Sequence, residues 1–169
     1  AYSYPVYSVV EVNEKIKETK KIEYTARHHC YAYVLNHNKT VQRTNDDGEP
    51  SSTAGKPILG QILSKDLTNI LIVVVRYLGK AKLGSSGLIR SYKMAAENAI
   101  SNTVIIKKIV REKYEISFRH PQMHAVMRLV KEFNLEVITT NFRIECKLIF
   151  AVAKNKAYNT IDAFKKNHK

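Results

Sequence analysis

Apolar residues along the first hundred positions occur either in short dense runs or at helical spacing, and this pattern predicts strands separated by helices. The dense runs are bounded by turn-forming residues, as short strands usually are. The predicted elements, in chain order, are a strand within 1–10, a helix over 11–24, strands over 28–35 and 41–44, a helix from about residue 53, a strand over 70–75 and a helix from about residue 86.

Two of these strands indicate a sheet that is covered on both faces. Residues 28–35 (HHCYAYVL) place Cys30, Ala32 and Val34 on one face and three larger apolar side chains on the other. Residues 70–75 form an unbroken apolar run, which must be buried on both sides. Pro57 is tolerated only in the first turn of a helix, so it sets the start of the helix between these strands.

The second half of the chain predicts a smaller unit of its own. Residues 103–111 lack glycine and proline and form either a strand or a connector. The predicted elements that follow are strands over 113–118, 136–140 and 143–152 and helices over 121–133 and 154–166. The order βαββα is most of a ferredoxin-like split βαβ unit. Its closing strand is missing, so either residues 104–110 fill an edge or the domain is shortened. We therefore expect two domains, residues 1–104 and 112–169.

The charge of the chain is strongly basic and unevenly placed. Among 169 residues there are 28 lysines and arginines and 15 acidic residues, for a formal net charge of +13. Residues 67–96 contain no acidic residue, and their five cations are Arg76, Lys80, Lys82, Arg90 and Lys93. Such a field favours nucleic acid, ribosomal RNA or anionic membranes as partners, although a solvated lysine-rich surface would give the same charge.

Other classes of function find little support. Cys30 and Cys146 are too few for a disulfide framework and have no zinc-ligand spacing, and adjacent His28 and His29 point to opposite faces of a strand. No nucleophile motif occurs, so we expect no catalytic residues, no metal and no cofactor. No apolar stretch is long enough to span a membrane and no signal peptide opens the chain, so we expect a cytoplasmic protein without a membrane partner.

The turn LGSSG at residues 83–87 is a candidate anion site because a helix follows it. Ser85 or Ser86 could simply cap that helix, but capping does not explain the cations on both flanks. Free amides at a helix start, hydroxyls and cations together bind phosphate, although the lysine of a Walker A motif is absent. The expected anion- or nucleic-acid-binding residues are Arg76, Tyr77, Lys80, Lys82, Ser85, Ser86, Arg90 and Lys93. Tyr77 is the candidate for stacking on a base.

The acidic sequence DDGEP precedes the earlier helix and carries Asp46, Asp47 and Glu49. These carboxylates could complement the helix dipole, bind Mg²⁺, or form a salt-bridge latch with Arg76. We favour the latch, in which they have a structural role.

Two long motifs resemble the signature of the YigZ/IMPACT family. They are DDGEPSSTAGKPIL and NILIVVVRYLGKAKLGSSGLIRSY, and HHCYAY is similar to a further strand of that family. The shared positions are Asp46, Asp47, Gly48, Glu49, Pro50, Thr53, Ala54, Gly55, Arg76, Tyr77, Gly79, Lys82, Leu83, Gly84, Gly87, Leu88, Arg90 and Tyr92. Lys80 and Ser52 stand where the family has glycine, and Lys93-Met94 where it has small residues.

The resemblance implies an α+β protein: an N-terminal α/β sandwich of the ribosomal-protein left-handed βαβ type, then a small ferredoxin-like βαββα domain similar to the fifth domain of elongation factor G. It also implies a role with nucleic acid or the translation machinery. Eukaryotic relatives act in translational control through partners of an initiation-factor kinase, but they carry a different extra domain. The family offers no secure enzymatic activity to carry over.

We therefore expect a non-enzymatic RNA- or ribosome-binding protein with a role in translation or its regulation. A protein partner in translation is a further candidate. One alternative is an enzyme acting on a phosphorylated or nucleotide-like small molecule. Another is an adaptor that binds acidic protein surfaces.

Overall fold

The computed structural model describes residues 1–79, 83–143 and 145–166. Lys80 and Lys82 of the predicted anion site lie outside the described residues. The chain forms two compact units, Ala1–Ile105 and the part from Ile106 onward, which we call unit 1 and unit 2.

Unit 1 is one four-stranded sheet with three helices among its described residues. Its elements are β1 (Tyr2–Pro5), α1 (Val9–Ile22), β2 (His28–Leu35), β3 (Val41–Asn45), α2 (Gly55–Ser64), β4 (Ile70–Arg76) and α3 (Gly84–Ser101). The strand order is β1-β4-β2-β3, and every neighbouring pair is antiparallel. The helix α2 therefore connects two parallel strands that are separated by β2.

The two faces of this sheet are covered by different helices. On one face Cys30, Ala32 and Val34 of β2 pack in a buried cluster with residues of α2 and α3. On the opposite face Tyr33 and Leu35 pack with residues of β4, with Val6 and with Val12 of α1. This confirms the expectation that β4 is buried on both sides, and β2 is buried in the same way.

The first ten residues differ from their prediction as one strand. The strand ends at Pro5, and α1 starts at Val9 because Ser8 caps it: the Glu11 amide donates to Ser8 Oγ at 3.2 Å. The Glu11 carboxylate in turn accepts from the Tyr7 amide at 3.0 Å. Valine and tyrosine favour strands in general, but two satisfied amides at a helix start outweigh that preference here.

Unit 2 has the predicted order βαββα. Its elements are β5 (Arg111–Phe118), a single 3-10 turn (His120–Gln122), α4 (Met123–Glu132), β6 (Glu136–Phe142), β7 (Cys146–Ala153) and α5 (Lys154–Lys166). The sheet order is β5-β7-β6, all antiparallel, and one face packs on both helices. Residues 104–110 belong to neither sheet, so the alternative in which they fill an edge is wrong.

The fold as a whole is the mixed α+β class that the sequence predicts, with two antiparallel sheets. Across the described residues, no helix combines the length and the apolar character needed to cross a membrane.

Candidate functional site

The acidic turn, residues 46–50, joins β3 to α2 at the end of the sheet where β2 begins and β4 ends. Asp46 organises the chain around it, since its carboxylate accepts from the amides of Ser52 (2.9 Å), Ala54 (3.0 Å) and Gly55 (2.8 Å). Burial raises the pKa of Asp46, but these three amides outweigh burial and hold the pKa below its usual range. Asp46 is thus a structural acceptor that positions the first turn of α2.

Glycine is required at two positions here, Gly48 in the acidic turn and Gly55 at the start of α2, for different reasons. Gly48 has a φ of +88°, which side-chain-bearing residues rarely adopt. A Cβ on Gly55 would lie 2.8 Å from Thr44 Cβ and 2.9 Å from the backbone nitrogen of Asn45. The start of α2 can therefore pack directly against the end of β3 only when residue 55 is glycine.

Asp47 ties the acidic turn to β2 and to α1. Its Oδ2 accepts from the His29 amide at 2.7 Å, and its Oδ1 lies 3.3 Å from Lys20 Nζ. Its backbone carbonyl is 2.8 Å from His28 Nδ1. These contacts hold the turn against the first residues of β2.

Glu49 is the buried centre of the site. Its side chain is only 3% exposed, and its Oε1 accepts from Arg76 Nη1 at 2.5 Å and from the Tyr92 hydroxyl at 2.8 Å. His28 Nε2 lies 3.9 Å from the same oxygen. Burial raises the pKa of Glu49, yet the hydrogen bonds from Arg76 and Tyr92 outweigh it and hold the pKa below its usual range. The carboxylate is therefore ionised at neutral pH.

Cys30 extends this network into the core. Its Sγ lies 3.3 Å from the Tyr92 hydroxyl and 2.9 Å from the Asp46 carbonyl oxygen, so both oxygens are within reach of its single S–H. Burial raises the pKa of Cys30 to about 12, and burial likewise raises the pKa of Tyr92 far above its usual value. Both groups keep their protons at neutral pH, so the phenol donates to Glu49 while the thiol packs against the phenol oxygen and the Asp46 carbonyl.

The basic segment, residues 76–93, runs from the end of β4 into α3. Arg76 is engaged with Glu49, and the Tyr77 hydroxyl donates to Glu23 while its side chain is 52% exposed. Ser85, Ser86, Arg90 and Lys93 are exposed on the first three turns of α3. Within the described part of the chain, no side chain caps α3 and its first turn has no acidic residue.

The structure thus separates the predicted anion-binding residues into two groups. The Arg76 side chain is paired with Glu49 of the acidic turn. The other group faces solvent and comprises Ser85, Ser86, Arg90 and Lys93. Sequence reasoning missed that Tyr92 and Cys30 are hydrogen-bonding partners of Glu49 and Asp46. The sequence did contain a signal for these contacts. The spacing of Tyr92 and Cys30 assigns both residues to the core, and a buried hydroxyl or thiol needs a hydrogen-bonding partner there.

These features define a class of α+β protein in which an acidic turn at one end of a sheet pairs with the last residue of a buried strand and with a tyrosine of the next helix. Residues 1–100 match the family model described as the Impact N-terminal domain. The IMPACT family member YvyE of Bacillus subtilis is 41% identical over 102 residues, which are 60% of this chain and 47% of that protein. The chain belongs to the IMPACT family.

Further relatives align over more of the chain. An IMPACT family member of Haemophilus influenzae is 33% identical over 82% of this chain and 66% of that protein. IMPACT family member YigZ of Escherichia coli is 31% identical over 79% of this chain and 67% of that protein. A solved structure described as a hypothetical protein superposes with a TM-score of 0.69 at 25% identity, covering 98% of this chain and 82% of that one. The matched part of the chain spans 47% to 67% of the length of these curated relatives.

Proposed function

We propose that the protein binds RNA, free or within the ribosome, through the exposed face of the basic segment, and that it acts in translation or its regulation without catalysing a reaction. The observation that carries the proposal is the exposure of Arg90 and Lys93 beside Ser85 and Ser86 on the start of α3. Amides, hydroxyls and cations on one helix start are suited to phosphate groups.

The absence of competing carboxylates supports this proposal. Residues 67–96 contain no acidic residue. Glu49, which contacts this segment through Arg76 and Tyr92, is buried and neutralised by Arg76. A phosphate that approaches the first turns of α3 therefore meets cations, and the first exposed carboxylate along α3 is that of Glu97, one turn after Lys93.

Salt-dependent RNA binding by charge-reversed variants tests the proposal. We expect Arg90→Glu with Lys93→Glu to weaken binding across RNA sequences and to reduce the slope of log K against log salt by about 1.4, or about 0.7 for each lost phosphate contact. The matched control is Arg43→Glu with Lys65→Glu, which changes the charge equally at exposed positions of β3 and of the α2 C-terminus. Equal affinity and slope for both double variants would overturn the proposal.

A second candidate function is protein binding, and it rests on a different observation. Leu78, Leu83 and Ile89 of the same segment, and Met94 directly after it, are exposed apolar side chains. Exposed apolar residues among cations are suited to an acidic protein surface with apolar anchors. A pulldown from nuclease-treated lysate distinguishes the two functions, because an RNA-mediated association is lost on nuclease treatment and a direct protein contact is retained.

The predicted domain limits, residues 1–104 and 112–169, stay a prediction. The second domain is also positively charged, since residues 103–169 carry 14 basic and 6 acidic side chains.

A further inference from the structure

Three segments of unit 1 meet at the end of the sheet where β4 finishes. His28 of β2 lies opposite Arg76 in the antiparallel register, and the Arg27 amide donates to the Arg76 carbonyl at 3.1 Å. The connection between α1 and β2, residues 23–27, therefore runs beside Tyr77, the first residue after β4. The edge strand β1 also starts here, since Tyr2 lies opposite Val73.

Glu23 holds these three segments together. It follows the last residue of α1, and its carboxylate accepts from the hydroxyls of both Tyr2 and Tyr77. The Tyr77 side chain nevertheless remains 52% exposed. An anchored phenol with an exposed ring loses less rotational freedom when a flat ligand stacks on it than an unanchored one does.

Tyr24 places a second exposed ring at this corner. It follows Glu23 directly, and 80% of its surface is exposed, which is unusual for a tyrosine. Because the Glu23 carboxylate accepts from the Tyr77 hydroxyl, Tyr24 adjoins the residue that anchors Tyr77. Both exposed rings therefore belong to the same anchored corner.

Exposed cations flank these rings. Lys21 and Arg27 are both exposed, and within the described residues neither forms an ion pair. The carboxylates of this corner are engaged, because Glu23 accepts from two phenols and Asp47 accepts from Lys20 and from the His29 amide. The corner therefore combines two exposed aromatic rings with two unpaired positive charges.

We propose that Tyr24 and Tyr77 form a stacking platform for the bases of single-stranded RNA, with Lys21 and Arg27 contacting the adjacent phosphates. This inference rests on the proposed RNA-binding function and specifies its ligand class. Bases in a duplex are stacked on one another and its major groove is deep and narrow, so side-chain rings cannot reach them. Unpaired bases stack on exposed aromatic rings with little regard to sequence.

The test measures the affinity of the full chain for a fluorescein-labelled 12-nucleotide uridine oligomer and for an RNA hairpin of equal charge, by anisotropy at several salt concentrations. We expect Tyr24→Ala to weaken binding of the oligomer by about 5- to 150-fold, the range for loss of one base stack. The salt slope should not change, because stacking releases no counterions. Tyr24→Phe keeps a ring and should retain the affinity of the parent chain.

The matched control is Tyr158→Ala, since Tyr158 is 82% exposed on α5 of unit 2. A tyrosine of equal exposure outside the platform should leave binding of the oligomer unchanged. Tyr77→Phe removes the anchoring hydroxyl but keeps the ring, so a loss of affinity between that of the parent chain and that of Tyr77→Ala would support the role of the Glu23 anchor, and an affinity equal to that of the parent chain would contradict it.

Two failures can be told apart. If the parent chain binds neither RNA with a salt-dependent affinity, the proposed function itself fails. If the parent chain binds RNA but Tyr24→Ala equals Tyr158→Ala, or the hairpin binds as tightly as the oligomer, the stacking platform is overturned while RNA binding stands. Capture of a protein instead of RNA on this corner would also overturn it.

Discussion

Replacing Glu49 with alanine should destabilise unit 1 strongly, because this carboxylate is the buried centre of the site. The change deletes the acceptor of both Arg76 and Tyr92, whose hydrogen bonds to Glu49 Oε1 measure 2.5 and 2.8 Å. It leaves a guanidinium that is 22% exposed and a buried phenol hydroxyl, each without its partner. The loss in the free energy of unfolding therefore has two parts, one from the unpaired Arg76 guanidinium and one from the unpaired Tyr92 hydroxyl.

The magnitude follows from burial. Removing one partner of a buried ion pair costs about 3–5 kcal/mol, and the lower end applies because water still reaches part of Arg76. The Tyr92 hydroxyl adds about 1 kcal/mol as a buried donor without an acceptor. We expect a total loss of about 4 kcal/mol in the free energy of unfolding. Glu49→Gln keeps an acceptor oxygen and should lose about half as much.

Urea unfolding of the full chain, followed by circular dichroism, measures this loss. The matched control is Glu97→Ala, an exposed glutamate on α3, which should change stability by no more than about 0.5 kcal/mol. A double-mutant cycle with Arg76→Met should give a coupling energy above about 1 kcal/mol, since the two residues contact each other directly. A loss for Glu49→Ala equal to that of Glu97→Ala, or a coupling energy near zero, would refute the reasoning.

Three further predictions concern unit 1. The pKa values of Asp46 and Glu49 are both lowered in the folded state, so the two carboxylates contribute their full stability above the unfolded pKa values near pH 4. This contribution is lost as pH falls through the lowered pKa values. Unfolding measured at a series of acid pH values should show the loss, and a stability independent of pH below about 4 would contradict it. Gly55→Ala should lower stability by about 1–3 kcal/mol, because the new Cβ would lie 2.8 and 2.9 Å from atoms of β3. Gly60→Ala in the same helix should raise stability by about 0.5–1 kcal/mol, because its Cβ would have no atom within 4 Å. Thermal melts that rank the two variants in the opposite order would count against this packing. Ser8→Ala should cost about 1 kcal/mol through loss of the α1 cap, and Ser8→Asp should restore most of it in the same melts.

The strands β2 and β4 were predictable because their patterns leave little choice. An unbroken apolar run at residues 70–75 has to be covered on both faces, and alternation in residues 28–35 assigns each side chain to a face. The start of α1 was not predictable in the same way. Tyr7, Val9 and Val10 are residue types that favour a strand. The helix starts here because Ser8 caps it, and this hydrogen bond depends on a local backbone geometry that the pattern of apolar residues does not reveal.

The candidate site was predictable in part. The charge pattern identified both the acidic turn and the basic segment. A salt bridge to Arg76 was one of three hypotheses for the role of the acidic side chains in that turn. Helical spacing assigned Tyr92 to the core but could not reveal the direction of its hydroxyl. Tyr24 was missed altogether, because sequence pattern does not distinguish an exposed tyrosine from a packed one beside a surface helix.

The two cysteines have a practical consequence for the study of this molecule. Cys30 lies in unit 1 and Cys146 in unit 2, and both thiols are fully buried. A thiol reagent can reach each one only when its own unit opens, so the labelling rates at the two positions report two separate opening free energies. The chain thus carries one internal chemical probe for each unit, and the stability of unit 1 can be followed without adding a label or separating the units.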